Sequence, residues 1–283
     1  MVAFLELLAD SWRRRRPVVA LVVVPFVDAF LQYGNVERVL AFDGVRFGVQ
    51  FPFPAPQLTA WSFASVPSTG SGLHVVEPVW LFPVTVAVEA VLVAGYLGSL
   101  DEGFRTGSYD FAANVVSYVV PLFAYTALMN AVVLGFGALG LAVGVFALAL
   151  AIPALLALGY LFWAAPFLVV VEDRGFLASL RRSVALATDG GEYAEFFLKH
   201  LLVGAGVSLV VTPVMTNAGA VGVVAGAAVG APVAFTFTLA TLRFLRAHVG
   251  DGHVTVDDGP ETRAGPGEET DDGRDAVGDA SSQ

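Results

Sequence analysis

The feature that most constrains this chain is a run of 61 residues, 111–171, that contains no Asp, Glu, Lys or Arg. A bilayer-spanning helix needs about 20 consecutive apolar residues, so the run is long enough for at least two crossings. Apolar residues make up 56% of the 283 residues and charged residues 14%; soluble domains have about 45–50% and 25%. The sequence therefore predicts a polytopic membrane protein and argues against a nucleic-acid binder, a disordered protein or a typical soluble enzyme.

The charges are distributed unevenly along the chain. Residues 251–283 hold ten of the 25 acidic residues and two of the 15 basic ones. With few large aliphatic side chains to bury, residues 250–283 are predicted to form an acidic, disordered cytoplasmic tail. Fourteen of the 15 basic residues are arginine, which together with the acidic tail favours a halophile or a GC-rich genome. The absence of cysteine excludes disulfides and thiolate metal sites.

Hydropathy predicts an all-α bundle over residues 17–249, with six spans at about 17–33, 78–100, 112–134, 141–163, 195–216 and 219–242. Residues 1–16 form an amphipathic surface helix, and residues 34–77 form an external loop with a hairpin that turns at Asp43 and Gly44. The turn into span four is expected at glycines 135, 137 and 140, and a tight turn into span six at residues 217–219. Whether residues 166–171 continue a helix or are extended stays open.

The basic residues near span ends determine the predicted orientation. Eleven of them fall on the N-terminal side of a six-span arrangement, and Arg38 and Arg46 fall on the other side. Cytoplasmic loops carry the excess of Lys and Arg in membrane proteins. Both termini are therefore predicted to lie in the cytoplasm, with the protein in the cell membrane.

The candidate functional residues are the polar side chains inside the spans, because polar groups are costly in a bilayer. Glu89 lies midway along span two, with Tyr125 at similar depth, while Asp28 and Asn130 lie further out. One interpretation is that Glu89, with Asp28, marks a proton- or ion-coupled path. The other, which is favoured because Glu89 has no basic partner at its depth, is a neutral carboxyl that donates a hydrogen bond to a neighbouring helix.

Several further patterns favour structural roles. Gly222, Gly226 and Gly230 recur every four residues in span six, which predicts close helix packing within one subunit or between two copies. His200 is interpreted as a hydrogen-bonded packing residue and Lys199 as a side chain that extends to the interface. No phosphate-binding loop, zinc motif or nucleophile elbow is present. No catalytic residue, metal or cofactor is therefore predicted.

Residues 175–188 are predicted to form an amphipathic interfacial helix on the cytoplasmic side. Leu177, Leu180, Val184 and Ala187 would line its apolar face, with the segment from Arg181 to Ser183 turned toward water. Arg181 and Arg182, with the preceding Arg174, are candidates for binding anionic lipid headgroups. A simple topology anchor is the alternative role.

This helix belongs to a longer motif formed by Pro166, Glu172, Asp173, Gly175, Ser179, Leu180, Arg181, Arg182, Ser183 and Leu186. A second amphipathic, glycine-containing pattern lies at residues 95–111. Over residues 90–215 the chain resembles the six-helix membrane domain attached to some bacterial glycerophosphodiester phosphodiesterases and related stand-alone proteins of bacteria and haloarchaea. The resemblance implies re-entrant or surface helices on the inner side. It implies no activity, because the hydrolase of that family is a separate soluble domain.

These observations lead to two functional hypotheses. The first is a non-enzymatic structural, lipid-associated or accessory membrane protein whose partners are anionic membrane lipids and a second copy or another membrane protein. The alternative is a small ion- or proton-coupled transporter or channel subunit that uses Glu89 and Asp28. Neither hypothesis involves a nucleic acid.

Overall fold

The described part of the chain, residues 2–67 and 82–250, is helical and contains no β-strand in this computed structural model. The predicted tail at 250–283, the end of the predicted loop at 68–77 and the start of span two lie outside the described residues, apart from Gly250. The α-helices are α1 (Val2–Arg13), α2 (Val23–Leu31), α3 (Tyr33–Leu40), α4 (Phe82–Thr106), α5 (Phe111–Val143), α6 (Val145–Phe162), α7 (Ala165–Val171), α8 (Phe176–Asp189), α9 (Gly191–Asn217) and α10 (Gly219–Gly250). Short 3-10 helices occupy Arg16–Val22 and Ala60–Phe63.

Five helical segments are long and apolar enough to cross a membrane, as the hydropathy predicted. They are Pro83–Thr106, Phe111–Gly140, Ala151–Val171, Gly191–Asn217 and Gly219–Val249. A sixth qualifies only as a pair, Arg16–Leu31 and Tyr33–Leu40, which bends by 60° at Gln32. The backbone of Gln32 has a ψ of 58°, outside the helical region. The prediction of an all-α membrane bundle is confirmed, with five helices that could span a membrane, or six if the bent pair forms one span.

The turn between the third and fourth spans differs from the sequence prediction. Helix α5 continues through Gly135, Gly137 and Gly140 to Val143. The chain turns at Gly144, whose φ of 84° lies in the left-handed region that favours glycine. Continuing the helix keeps each backbone N–H and C=O hydrogen-bonded inside the bilayer. Residues 166–171 belong to helix α7, with Pro166 in its first turn, where no N–H partner is needed.

The hairpin predicted at Asp43 and Gly44 is wrong. Helix α3 continues to Leu40, and residues 41–59 form irregular structure that folds back against the bundle. Trp61 is 5% exposed, and its Nε1 donates to the carbonyl of Ala29 at 2.6 Å. Three prolines in the segment lack an N–H, so it cannot form a regular strand ladder. Apolar burial against α9 and α10 stabilises it instead.

Ion pairs concentrate at one end of the bundle, here called the charged end. Asp101 of α4 is 2% exposed and pairs with Arg105 at 3.1 Å and with Arg246 of α10. Asp10 of α1 accepts from Arg243 of α10 at 2.6 Å. This hydrogen bond holds the pKa of Asp10 below its ordinary value. Helices α1, α4 and α10 are therefore joined by charge as well as by apolar packing.

Close helix contacts occur at the three glycines singled out in α10. A Cβ at Gly222 would lie 2.4 Å from the carbonyl oxygen of Val214, and one at Gly226 would lie 2.0 Å from the Met215 side chain. One at Gly230 would lie 2.6 Å from Ala60. The stripe therefore faces α9 and the folded-back loop within the same chain.

The packing at Gly222 predicts a cost for a single added methyl group. Gly222→Ala places its Cβ against a backbone carbonyl that cannot rotate away. We therefore expect the free energy of unfolding to fall by about 1–3 kcal/mol, with a lower melting temperature in detergent. Gly206→Ala in α9 is the matched control, because no atom lies within 4 Å of that Cβ. Equal melting temperatures for the two variants would contradict the close contact.

Candidate functional site

A cavity of about 590 Å³ lies between α4, α5, α6 and residues 53–56, and it is called the Glu89 cavity. Most of its wall is apolar. Its polar lining comes from Glu89 of α4 and from Tyr125, Thr126 and Asn130 of α5. Aromatic side chains that line it are Phe53, Tyr125, Phe162 and Trp163. The cavity thus combines one carboxyl group with aromatic and aliphatic walls.

Small residues let α4 and α5 approach each other beside this cavity. A Cβ at Gly95 would lie 2.2 Å from the Phe111 ring, and one at Gly98 would lie 2.7 Å from Asn114. The turn joining the two helices is stabilised by Asp110, which accepts from the N–H of Ala113 at 3.0 Å as an N-cap. This close pairing places residues of α5 opposite Glu89.

Residues 52–56, here called the proline segment, contain three prolines, and residues 53–56 form one wall of the cavity. Pro52 fills the space over Gly204 of α9, where an added Cβ would lie 2.1 Å from the proline ring. Phe53 packs edge-on against Phe197, with ring centroids 5.6 Å apart, and contacts Gly159 of α6. Because proline has no N–H, this extended segment exposes fewer unsatisfied donors to the apolar helices.

The polar groups of the cavity lie near a second carboxyl, that of Asp28, which interacts with Glu89 electrostatically. The Asn130 side chain donates to the carbonyl of Thr126 at 2.9 Å and also contacts the Glu89 carboxyl. Asp28 accepts from Gln32 at 3.1 Å, lies beside Gln57, and interacts electrostatically with Glu89.

Glu89 and Asp28 form no ion pair within residues 2–67 and 82–250. No Arg, Lys or His lines the cavity. Two carboxylates repel each other when both are ionised, and the repulsion is strong in a low-dielectric environment. A proton or another cation placed near Glu89 would relieve that repulsion.

The structure brings together three of the four intramembrane candidates. Glu89, Tyr125 and Asn130 line the same cavity, whereas Asp28 does not line it but interacts with Glu89. Two polar side chains near the cavity were not predicted from the sequence: Gln57, an amide that follows three prolines, and Trp163. Trp163 is 2% exposed and its Nε1 has no hydrogen-bond partner in the described part of the chain. The one signal in the sequence that would have identified Gln57 is its position directly after three prolines spaced two residues apart.

Helix α8 matches the predicted orientation only in part: Leu180 and Val184 are partly buried and Ala187 is buried, as predicted. Ser179, Ser183 and Leu186 are buried, and Ser183 donates to the carbonyl of Leu161 at 2.6 Å. Leu177, predicted to lie on the apolar face, is 63% exposed. The prediction that Ser183 faces water is therefore wrong, because its hydroxyl satisfies a carbonyl left unpaired at the end of α6.

The three arginines proposed to bind headgroups differ in their surroundings. Arg174 and Arg182 contact Glu172 at 2.6 Å and 3.5 Å, and the Glu172 side chain is only 7% exposed. Arg181 is exposed and has no ion pair among the described residues. Of the three, Arg181 is the one whose charge is not already shared with a carboxylate.

His200 is buried among aromatic rings where α1 meets α9 and α10. Its ring lies 4.9 Å from Phe237, 6.0 Å from Phe196 and 6.3 Å from Phe4. Neither ring nitrogen has a hydrogen-bond partner within the described ranges, so the predicted hydrogen-bonded role is not met. Lys199 pairs with Glu195 one turn earlier.

No group of three His, Asp or Glu side chains suited to a metal ion occurs within residues 2–67 and 82–250. Comparisons of the chain with models of protein families, with curated proteins and with solved structures gave no match. The resemblance to the membrane domain of the phosphodiesterases therefore stays a prediction.

The α8 arginines generate a paired prediction on stability. Arg182→Gln leaves the nearly buried Glu172 with one partner instead of two, so we expect a loss of about 1–3 kcal/mol. Arg181→Gln removes an exposed charge without a partner, and its effect should stay within about 0.5 kcal/mol. Thermal unfolding of both purified variants in detergent checks this. A loss at Arg181 as large as at Arg182 would contradict the ion-pair assignment.

Proposed function

We propose that this chain is a non-enzymatic, lipid-associated membrane protein that binds an amphipathic organic cation in the Glu89 cavity. The observation that carries the proposal is the composition of the cavity wall. One carboxyl group, on Glu89, lies among aromatic side chains, and no basic residue lines the wall.

The chemistry of the wall supports a ligand of this class. Ligand pockets of about 300–1,000 Å³ are mostly apolar, with a few placed polar groups, and the 590 Å³ cavity falls in this range. Aromatic faces attract cations, most strongly where water is excluded. A carboxylate beside them adds charge attraction, while the aliphatic residues of α6 accommodate an apolar body. An anion would meet the Glu89 carboxyl with no compensating base.

A second function is favoured by a specific observation, the interaction between Asp28 and Glu89. These two carboxyls lack ion-pair partners in the described part of the chain, and they lie close enough to interact electrostatically. Paired intramembrane carboxyls are typical of proton and cation pathways. The alternative function is therefore a proton- or ion-coupled transporter or channel subunit.

The orientation belongs to the same proposal. We place the charged end in the cytoplasm and the protein in the cell membrane, because eleven basic residues near span ends lie on that side and two on the other. Membrane lipids are the proposed partners. A second copy or another membrane protein is a further proposed partner, and it would need a face other than the glycine stripe of α10.

Ligand charge tests the principal proposal. Tetraphenylphosphonium and tetraphenylborate have the same shape and opposite charge. We expect the purified protein in detergent to bind the cation at least about ten-fold more tightly than the anion, as measured by equilibrium dialysis. Comparable binding of the two ions would contradict a cation-selective cavity.

Removal of the carboxyl tests the residue. We expect Glu89→Gln to weaken tetraphenylphosphonium binding by about ten-fold while leaving the melting temperature close to the parent value, because the amide keeps the shape of the side chain and loses its charge. Glu37→Gln in α3, an exposed carboxyl remote from the cavity wall, is the matched control. Unchanged binding in Glu89→Gln would remove Glu89 from the site.

Proton flux into proteoliposomes tests the second function. If Asp28 and Glu89 form a pathway, Glu89→Gln and Asp28→Asn should each abolish a flux that Glu37→Gln retains, because neither neutral side chain can exchange a proton. Flux that is absent from the parent protein, or that persists in both variants, would exclude the pathway.

A further inference from the structure

A second site lies where α1 crosses α9 and α10. A groove of about 380 Å³ runs beside α1, and its walls include Leu8 and Trp12 of α1, Val207 of α9, and Pro232 and Phe237 of α10. Its lining is almost entirely apolar. It is separate from the Glu89 cavity and shares no lining residue with it.

The walls of this groove are held in place by several contacts. Phe4 is 3% exposed and packs edge-on against Phe196 and Phe237, with ring centroids 5.3 Å and 6.1 Å apart. Arg243 of α10 donates to Asp10 at 2.6 Å and to Ser11 at 3.0 Å. Because α1 is tied to α10 along its length, the groove is preformed and a ligand would not have to order it.

Positive charge is concentrated at one end of the groove. Residues 13–16, which directly follow Trp12, are four consecutive arginines. Asp10 is the carboxylate shared by Arg13 at 3.8 Å, Arg14 at 3.0 Å and Arg243 at 2.6 Å. One carboxylate cannot neutralise three guanidinium groups. The group formed by Asp10 and these three arginines, here called the arginine corner, therefore has an excess of positive charge even without Arg15 and Arg16.

The two remaining arginines have no carboxylate partner in the described part of the chain. The guanidinium of Arg15 lies 3.8 Å from the centre of the ring of Trp12, a groove-lining side chain, and donates one hydrogen bond to the Trp12 carbonyl at 2.6 Å. Arg16 is exposed and has no ion pair within residues 2–67 and 82–250. A phosphate group accepts charge-assisted hydrogen bonds from guanidinium groups, and a hydrocarbon chain gains close packing from a groove of fixed shape.

We propose that the groove beside α1, here called the α1 groove, and the arginine corner together form a specific binding site for one anionic phospholipid. A hydrocarbon chain would lie in the groove, and the phosphate would bind Arg15 and Arg16. The combination of an apolar slot with unneutralised arginines at its end matches the two chemical parts of such a lipid. The α8 surface is the weaker candidate, because Arg174 and Arg182 share Glu172. The site does not depend on the Glu89 cavity.

Lipid binding by the full chain tests the headgroup contact. Native mass spectrometry of the protein in nonionic detergent would measure the retention of phosphatidylglycerol and of phosphatidylcholine. We expect phosphatidylglycerol to bind preferentially and Arg16→Gln to weaken its binding by about five-fold, the effect of one charge near a headgroup. Arg38→Gln is the matched control, because it removes an arginine of α3 that lines neither the groove nor its arginine-rich end, and it should leave the binding unchanged.

Groove-filling variants test the chain contact. Ala9→Trp places an indole in the groove, and Val203→Trp fills it from α9 in case the first variant displaces α1. Both keep all four arginines, and both should lose phosphatidylglycerol binding at a parent-like melting temperature. Phosphatidylglycerol binding that survives both, or equal retention of the two lipids, would overturn the proposal. So would displacement of phosphatidylglycerol by millimolar inorganic phosphate, which would identify a simple anion site.

Discussion

Every backbone N–H and C=O inside a bilayer must find a partner within the protein, and the rest of this structure depends on that constraint. The long helices satisfy it along their own length. The irregular segment after α3 satisfies it through polar side chains of α9. Ser208 accepts from the N–H of Gln50 at 2.7 Å, Thr212 from that of Ser65 at 3.0 Å, and Asn217 from that of Arg46 at 2.7 Å. These side chains allow a non-helical segment to complete the wall of the cavity.

Carboxyl groups occur in two different environments in this bundle. At the charged end, acidic side chains on α1 and α4 are matched by arginines on α10, and the pairs tie these helices together. In the Glu89 cavity the carboxyl lies among amides, hydroxyls and aromatic rings, without an ion-pair partner in the described part of the chain. An unneutralised carboxyl is expensive in such a place, which is a reason to associate it with a ligand or a proton and not with stability alone.

The two proposed sites are opposite in chemistry. The Glu89 cavity is carboxyl-lined and suits a cation with an apolar body, whereas the α1 groove ends in arginines and suits an anionic lipid. Both depend on segments outside the long spans. Residues 53–56 close the first, and α1 forms one wall of the second. The short elements of this chain therefore do more than connect its transmembrane helices.

The sequence alone determined the all-α membrane class and the presence of five to six long apolar helices, because hydrophobicity and helix length are properties of local composition. Only the tertiary structure decided the break at Gln32, the inward folding of the proline segment, the orientation of α8 and the meeting of Asn130 and Tyr125 with Glu89. Each of these depends on which side chains of distant segments fit against one another. Ser183 illustrates the difference. Its hydroxyl predicts a water-facing position in the sequence, but in the structure it is buried, because it donates a hydrogen bond to a carbonyl 22 residues earlier.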